Sequence, residues 1–239
     1  GHIIGKVLFC LFCLMLFVAC SSDDTAEAHY QRGRQLSSEN RSADAMREFL
    51  LAADAGDAPQ VSAKAVSELG HLSLNQHDLG QARLYFEQAW QQASALHDLP
   101  LMVLALRDLG RCSRAGGDAG AALQCFARAD SLLTAAGADT LRTYVYPEYI
   151  SLLLGEGRGD AARRLVRLLP VDRRSGPSCL VAGKFYAEQG RYDSAQYYLR
   201  RCLETDNVSS RASAAMYLSE MAADGAEWER AFGYALECA

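Results

Sequence analysis

A triplet of helically spaced residues recurs six times along the chain and constrains its fold more than any other feature. An alanine is followed four residues later by an apolar and usually larger residue, and three further on by alanine, leucine or cysteine. The triplets are Ala45–Phe49–Ala52, Ala82–Phe86–Ala89, Ala122–Phe126–Ala129, Ala162–Val166–Leu169, Ala195–Leu199–Cys202 and Ala231–Ala235–Cys238. Their alanines are 37, 40, 40, 33 and 36 residues apart, a period typical of stacked repeat proteins. Such proteins usually build a binding surface.

A second landmark indicates that each repeat contains two helices. Positions i, i+4 and i+7 share one helical face, so each triplet predicts one helix. Twelve residues before the alanines stand the glycines Gly33, Gly70, Gly110 and Gly183, while Ile150 and Ser219 interrupt the series. Turn signals such as His77–Asp78 and Gly190–Arg191–Tyr192–Asp193 lie between the two landmarks. The pattern predicts an all-α solenoid in which a first helix, a short turn and a second helix repeat as stacked antiparallel pairs.

The two landmarks together resemble the tetratricopeptide repeat (TPR), in which Trp–x2–Leu–Gly–x2–Tyr is followed by Ala–x3–Phe–x2–Ala and then by Pro. The matching residues are Val66–Leu69–Gly70 with Ala82–Phe86–Ala89, Leu106–Leu109–Gly110 with Ala122–Phe126–Ala129, and Gly183–Tyr186 with Ala195–Leu199–Cys202. The resemblance implies a right-handed superhelical solenoid of about six repeats over residues 26–239. Because the 40-residue spacings exceed the standard length of about 34, we expect some helices to be about one turn longer.

The first nineteen residues have the pattern of a targeting segment. Lys6 precedes an apolar run from Val7 to Ala19, which is short for a membrane span and has the length of a signal-peptide core. The run ends in Phe17–Val18–Ala19–Cys20 and resembles a bacterial lipoprotein signal, in which the cysteine is lipidated and becomes the new N-terminus. The resemblance implies removal of residues 1–19 and lipidation of Cys20. An ordinary secretory signal cut near Ala19 is the alternative, and either one exports the protein.

The residues after Cys20 indicate where the anchored protein would stand. Ser21–Ser22–Asp23–Asp24 begins an acidic, serine-containing tether over residues 20–25. This stretch resembles the surface-export signal of Bacteroidota lipoproteins. We therefore expect an outer-membrane lipoprotein at the periplasmic face or the cell surface.

Composition and motifs argue against several functional classes. The formal charge is -5, with 24 basic and 29 acidic residues, which disfavours nucleic-acid binding. The histidines show no metal-ligand spacing, and no Walker or Gly-x-Ser-x-Gly motif occurs. The glycine-rich stretch 155–159 follows a predicted helix and is interpreted as a repeat turn. We predict a non-enzymatic protein without a cofactor or metal.

The cysteines after Cys20 do not suggest a disulfide framework, because their number is odd. These cysteines are Cys112, Cys125, Cys179, Cys202 and Cys238. Cys202 and Cys238 fall on the small-residue position of the triplet, where a buried cysteine acts as a small hydrophobe.

A candidate groove follows from the resemblance, because the first helices of tetratricopeptide folds line the concave surface. The groove-facing positions are Arg34, Lys64, His71, Asn75, Arg107, Arg111, Arg114, Tyr144 and Lys184. Three arginines at i, i+4 and i+7, beginning at Arg107, share one helical face. Guanidinium groups suit carboxylates, so we hypothesise that the groove binds an acidic or C-terminal peptide. The alternative is a solvated arginine face, neutralised by Asp108 and Glu68.

Three functions remain open from the sequence, with the partner and the oligomeric state unspecified. The first is a protein-interaction scaffold held at the envelope by a lipid anchor. The second is the exported sensor region of a longer membrane-spanning signalling or transcription-regulating protein, because the sequence ends at Ala239 within a predicted second helix and shows no capping helix. The third is a glycan-binding lipoprotein, for which Tyr144, Tyr146 and Tyr149 would supply an aromatic cluster.

Overall fold

The computed structural model of the chain describes residues 25–170 and 175–224, and the regular elements in these ranges are helical. The α-helices are α1 (Ala26–Ser38), α2 (Ser42–Asp54), α3 (Pro59–Asn75), α4 (Leu79–Ala95), α5 (Leu99–Ala115), α6 (Ala119–Ala136), α7 (Arg142–Gly155), α8 (Gly159–Leu168), α9 (Gly176–Glu188), α10 (Tyr192–Leu203) and α11 (Val208–Asp224). A 3-10 turn, Asp139–Leu141, precedes α7. The predicted signal peptide, Cys20 and the last triplet lie outside the described residues.

The described helices belong to two compact units that divide after residue 117, the first with α1–α5 and the second with α6–α11. In each unit every helix packs on the next one along the chain. The first helices of successive repeats also contact each other, α1 with α3 and α3 with α5 in one unit, and α7 with α9 and α9 with α11 in the other. This packing confirms the predicted stack of helix pairs.

The predicted triplets form part of the core. In the five triplets within the described residues all members are buried, and Phe49, Phe86 and Phe126 are 0% exposed. Each of these triplets lies on a second helix, except that Leu169 follows directly on the end of α8. The interpretation of the triplet as the core face of the second helix is therefore confirmed.

The landmark glycines allow the two helices of a pair to approach closely. A Cβ atom built on Gly33 would lie 2.6 Å from Phe49, and one built on Gly70 would lie 2.5 Å from Phe86. At Gly183 the nearest atom, at 2.6 Å, belongs to the leucine of the α10 triplet. Any side chain at these positions would collide with the bulky triplet residue. Glycine is therefore required for the helix separation seen in these three repeats.

The length of the helices accounts for the 40-residue spacings. Helices α3, α4 and α5 have 17 residues each and α6 has 18, whereas α1, α2 and α9 have 13. The difference of about four residues is close to one helical turn. The predicted extra turn is confirmed.

The turns between helices use the residues that the sequence marked. His77 and Gly190 adopt positive φ angles of 62° and 66°. The Asp78 side chain then accepts a hydrogen bond from the backbone N–H of Gln81 and caps α4. The stretch 155–159 joins α7 to α8, as predicted for a repeat turn.

Replacing Gly70 with alanine tests the close approach of α3 and α4. The new methyl group would collide with the Phe86 ring, so Gly70→Ala should lower the free energy of unfolding by about 1–3 kcal/mol, the usual cost of overpacking. Gly80→Ala is the control, because a Cβ at Gly80 would have Asp78 Oδ1 as its nearest neighbour, at 3.6 Å. Urea unfolding of both variants measures the effect. Equal stability of the two variants would show that the contact is not restrictive.

Candidate functional site

The predicted groove residues of the first unit lie on α1, α3 and α5, the helices that contact one another in a row. Arg34, Lys64, Asn75 and Arg114 are exposed, whereas His71, Arg107 and Arg111 are partly buried. These residues therefore lie on neighbouring helices. The sequence alone did not distinguish the exposed ones from those that contact other parts of the protein.

A buried carboxylate organises the centre of this surface. The Asp108 side chain is 2% exposed, and the Arg107 guanidinium donates to its Oδ1 at 2.9 Å. Arg111 Nη1 lies 3.7 Å from the same oxygen. His71 Nε2, from α3, lies 3.3 Å from Asp108 Oδ2. Asp108 thus joins two repeats and holds two of the predicted arginines in place; we call these four residues the Asp108 cluster.

The surroundings of Asp108 keep it ionised. Burial alone would raise the pKa of this carboxyl group, because a low-dielectric environment disfavours charge. The hydrogen bond with His71 and the positive charge of Arg107 outweigh burial and hold the pKa of Asp108 below its usual value. The cluster therefore contains a negative charge at neutral pH, so at least one positive partner is needed to stabilise the buried carboxylate.

The link between His71 and Asp108 has counterparts elsewhere in the chain. His71 directly follows the landmark Gly70, and Asp108 precedes the landmark Gly110 by two residues. In the second unit Lys184, directly after Gly183, places its Nζ 4.8 Å from the ring centroid of Tyr217, which is two residues before Ser219. In both cases the basic residue directly after one landmark contacts the residue two positions before the landmark position of the next repeat.

The first two repeats show a related contact that runs through a tyrosine. Burial and then the negative charge of Glu68, which is two residues before Gly70, raise the pKa of Tyr30. Arg34 Cζ lies 6.0 Å from the centroid of the Tyr30 ring. Part of the predicted positive surface is therefore used for contacts within the protein, as the alternative interpretation of a neutralised face suggested. That interpretation did not anticipate the burial of Asp108.

The second unit separates the three tyrosines that the sequence grouped. Tyr144 is 53% exposed, whereas Tyr146 is 0% exposed and donates a hydrogen bond to Asp130 Oδ1 at 2.6 Å. Tyr149 stacks on Phe126 with ring centroids 5.7 Å apart. The predicted aromatic cluster is therefore wrong, because Tyr144 projects from the opposite side of the helix to Tyr146 and Tyr149, which are three residues apart and share a side.

Asp130 is a second buried carboxylate that the sequence reasoning missed. It accepts from Tyr146 on α7 and pairs with Arg164 on α8, so it links three helices of the second unit. Burial and this hydrogen bond raise the pKa of Tyr146 well above its usual value, so the hydroxyl remains protonated. The sequence contains a signal for Asp108, because an acidic residue stands two positions before the landmark glycine in two successive repeats, as Glu68 and as Asp108. It contains no such signal for Asp130.

The four described cysteines are thiols and form no disulfide with one another. Cys202 is 0% exposed, and its Sγ lies 3.4 and 3.3 Å from the carbonyl oxygens of Gly176 and Ser210, which share its single S–H donor. Burial raises its pKa to about 12, so the nucleophilic thiolate is scarce at neutral pH. Cys202 therefore acts as a core residue of its triplet.

Two features are absent from the described residues, 25–170 and 175–224. These residues contain no group of three or more histidine, cysteine, aspartate or glutamate side chains placed to hold a metal ion. In the same ranges no helix combines the length and the apolar character needed to cross a membrane.

The family comparison agrees with the geometry of the repeats. The sequence model of the tetratricopeptide repeat family matches residues 176–208, which form α9, α10 and the turn after them. No curated protein matches the chain. The chain therefore carries a tetratricopeptide repeat.

Solved structures share the fold at low sequence identity. Aspartyl phosphate phosphatase F from Bacillus subtilis superposes with a TM-score of 0.62 at 14% identity over 89% of this chain, which spans 58% of that protein. Pseudomonas aeruginosa pilF gives 0.58 at 18% identity, covering 75% of this chain and 76% of its own. A thermophilic TPR protein from Thermus thermophilus gives 0.56 at 18%, covering 80% and 97%. The fold is that of tetratricopeptide repeat proteins.

Asp108→Asn should lower the free energy of unfolding at neutral pH by about 2–4 kcal/mol, because it removes the buried carboxylate that a histidine and two arginines surround. Since the pKa of Asp108 is lowered by folding, its contribution is present above its unfolded value and is lost as the pH falls through its folded value. The gap between wild type and variant should therefore shrink below about pH 4. Urea titrations across this pH range measure it.

Asp44→Asn provides the matched control, since Asp44 forms an exposed pair with Arg41. Exposed ion pairs contribute about 0–1 kcal/mol. A loss for Asp108→Asn no larger than the control, or one that persists unchanged at low pH, would contradict a structural charge at Asp108.

Proposed function

We propose that this protein is a non-enzymatic interaction scaffold that binds an acidic protein segment and is displayed at the bacterial envelope by a lipid anchor on Cys20. The tetratricopeptide fold supports the scaffold, because stacked helix pairs present a continuous surface to a partner. The targeting segment ahead of Cys20 supports the anchor. The Asp108 cluster supports the acidic partner.

The observation that carries the proposal is the arrangement of arginines around Asp108. One carboxylate offers two oxygens, whereas each guanidinium group has five N–H donors. Arg107 and Arg111 retain 19% and 38% side-chain exposure while contacting Asp108. A buried group that fixes the rotamer of a binding residue lowers the entropy lost when a partner binds. Asp108 would thus orient the arginines towards incoming carboxylates.

Exposed polar residues extend this surface on both helices. Lys64 and Asn75 lie on α3, and Arg114 lies one turn beyond Arg111 on α5. Because α3 contacts α5, an extended peptide crossing these helices would meet positive charge and amide donors in succession. Electrostatic complementarity of this kind favours acidic segments and raises the association rate.

The lipid anchor would determine where this surface acts. Each buried methylene group of an acyl chain contributes about 0.8 kcal/mol to membrane binding, so several chains on one cysteine hold a protein firmly. An anchored scaffold is also concentrated near partners in the same membrane. Cys20 lies outside the described residues, and the anchor rests on the sequence alone.

Removing Arg111 and Arg114 tests the peptide surface without releasing Asp108, because Arg107 and His71 remain beside it. The probe is a fluorescein-labelled peptide of alternating glutamate and serine, with a glutamine counterpart as the uncharged reference. We expect the Arg111→Ala/Arg114→Ala variant to bind the glutamate peptide roughly ten-fold more weakly. Fluorescence anisotropy measures the affinity.

The matched control is Arg47→Ala/Arg83→Ala, which removes the same charge from exposed positions on α2 and α4. It should bind the glutamate peptide like the wild type. Equal weakening by both variants would show that binding depends on net charge and not on this surface. Unchanged binding by the test variant would also refute the proposed surface.

Cys20→Ala tests the anchor. Expressed with an initiating methionine in a bacterial host fed an alkyne-bearing fatty acid, the wild-type protein should incorporate the label and enter the detergent phase of a Triton X-114 partition. The variant should remain unlabelled and stay in the aqueous phase. A wild-type protein that is cut near Ala19 and carries no label would support the ordinary secretory signal instead.

A further inference from the structure

A row of five stacked side chains crosses the α9–α10 helix pair, within the segment that matches the tetratricopeptide repeat family. Arg191 Cζ lies 5.1 Å from the ring centroid of Tyr186, whose ring stacks on Tyr198 at 5.4 Å with the planes 4° apart. Tyr198 meets Tyr197 edge-on at 5.1 Å, and Arg201 Cζ lies 5.7 Å from the Tyr197 centroid. We call these five residues the tyrosine–arginine row.

The row is not needed to fill the core of its repeat. The core face of α10 consists of Ala195, Leu199 and Cys202, all 0% exposed. Tyr197, in contrast, is 54% exposed, and Tyr192 at the start of the same helix is 60% exposed. Tyrosine and arginine are enriched among the residues that dominate binding energy at protein interfaces. Their grouping outside the core therefore points to a partner.

The guanidinium groups at the ends of the row contact aromatic rings and not acids. In the described part of the chain neither Arg191 nor Arg201 forms a salt bridge. Arg201 donates one hydrogen bond, to the Tyr197 hydroxyl at 2.9 Å. A guanidinium that lies over a ring keeps donors at its edge for a carboxylate, which it binds in a bidentate manner. The row thus holds two oriented cationic groups.

Acidic neighbours restrict the kind of anion that fits. Glu188, Asp193 and Glu204 lie on or directly after the same two helices, and the chain as a whole has a charge of -5. A nucleic-acid strand carries a phosphate on every nucleotide, so it would bring some of its charge close to these acids. A peptide can place carboxylates at two points and apolar side chains between them.

We propose that the tyrosine–arginine row docks an extended protein segment in which two carboxylate side chains flank apolar residues. The carboxylates pair with Arg191 and Arg201, and the apolar residues cover the exposed ring of Tyr197. This inference rests on the proposed function as a protein scaffold, but it uses a different unit and different helices from those of the Asp108 cluster.

The test uses a fluorescein-labelled peptide that has glutamates at both ends and leucines between them. Arg191→Ala/Arg201→Ala should weaken binding roughly ten-fold, and replacing the glutamates of the peptide with glutamine should weaken binding to the wild type as much. The control variant Arg167→Ala/Arg211→Ala removes two exposed arginines of the same unit and should bind normally. The altered side chains lie outside the core, so circular dichroism and thermal unfolding should match the wild type.

A second pair of variants separates the ring from its hydroxyl. Tyr197→Ala should weaken binding because it removes the surface under Arg201 and the apolar contact, whereas Tyr197→Phe should retain most of the affinity. A photoreactive leucine analogue in the peptide should crosslink to α10 in the wild type. Unchanged affinity of Arg191→Ala/Arg201→Ala, or tighter binding of an oligothymidylate strand than of the peptide, would overturn the proposal.

The same measurements distinguish failure of this inference from failure of the scaffold. If Arg111→Ala/Arg114→Ala weakens binding of the alternating glutamate–serine peptide while the row variants leave the leucine-containing peptide unaffected, the row is refuted and the scaffold stands. If neither variant weakens binding of its peptide, both proposals are refuted.

Discussion

The contact between a first-helix glycine and the bulky residue of the second helix sets the geometry of each repeat in which it occurs. With Phe86 against Gly70 and Leu199 against Gly183, the helices approach so closely that even a methyl group would collide. This contact fixes the rotation of the first helix as well as its distance. The residue directly after the glycine and the residue two before it are thereby directed to the inner side, where successive first helices meet.

Charged side chains on that inner side hold successive first helices together. His71 reaches Asp108 in the next repeat, and Lys184 reaches the ring of Tyr217 in the same relative position. A buried carboxylate with positive neighbours specifies which helices pair, because losing one partner leaves an unpaired charge in a low dielectric. The same carboxylate fixes two arginines at the surface. Under the proposed function, stability and recognition would therefore depend on the same residue in the α3–α5 region.

Sequence predicted those features that follow from helical period alone. The burial of Phe49 and Phe126 and the extra turn in α3–α6 follow from spacing, and the structure confirms both. The burial of Asp108 depends on His71 from another helix, which periodicity within α5 cannot reveal. The separation of the tyrosines on α7 could be predicted only with the rotation of that helix. The tyrosine–arginine row could be predicted only with the packing of α9 on α10. Spacing thus located the surface residues, and tertiary contacts determined their partners.

The central claim is that the α5 surface organised by Asp108 receives carboxylates. The most direct measurement follows the arginine Nε–H resonances of the protein by nitrogen-15 NMR while a glutamate-containing peptide is added. If carboxylates bind there, the signals of Arg107, Arg111 and Arg114 should shift with a common binding curve, while that of Arg83 on α4 stays in place. Shifts spread evenly over all exposed arginines, or none at these three, would contradict it.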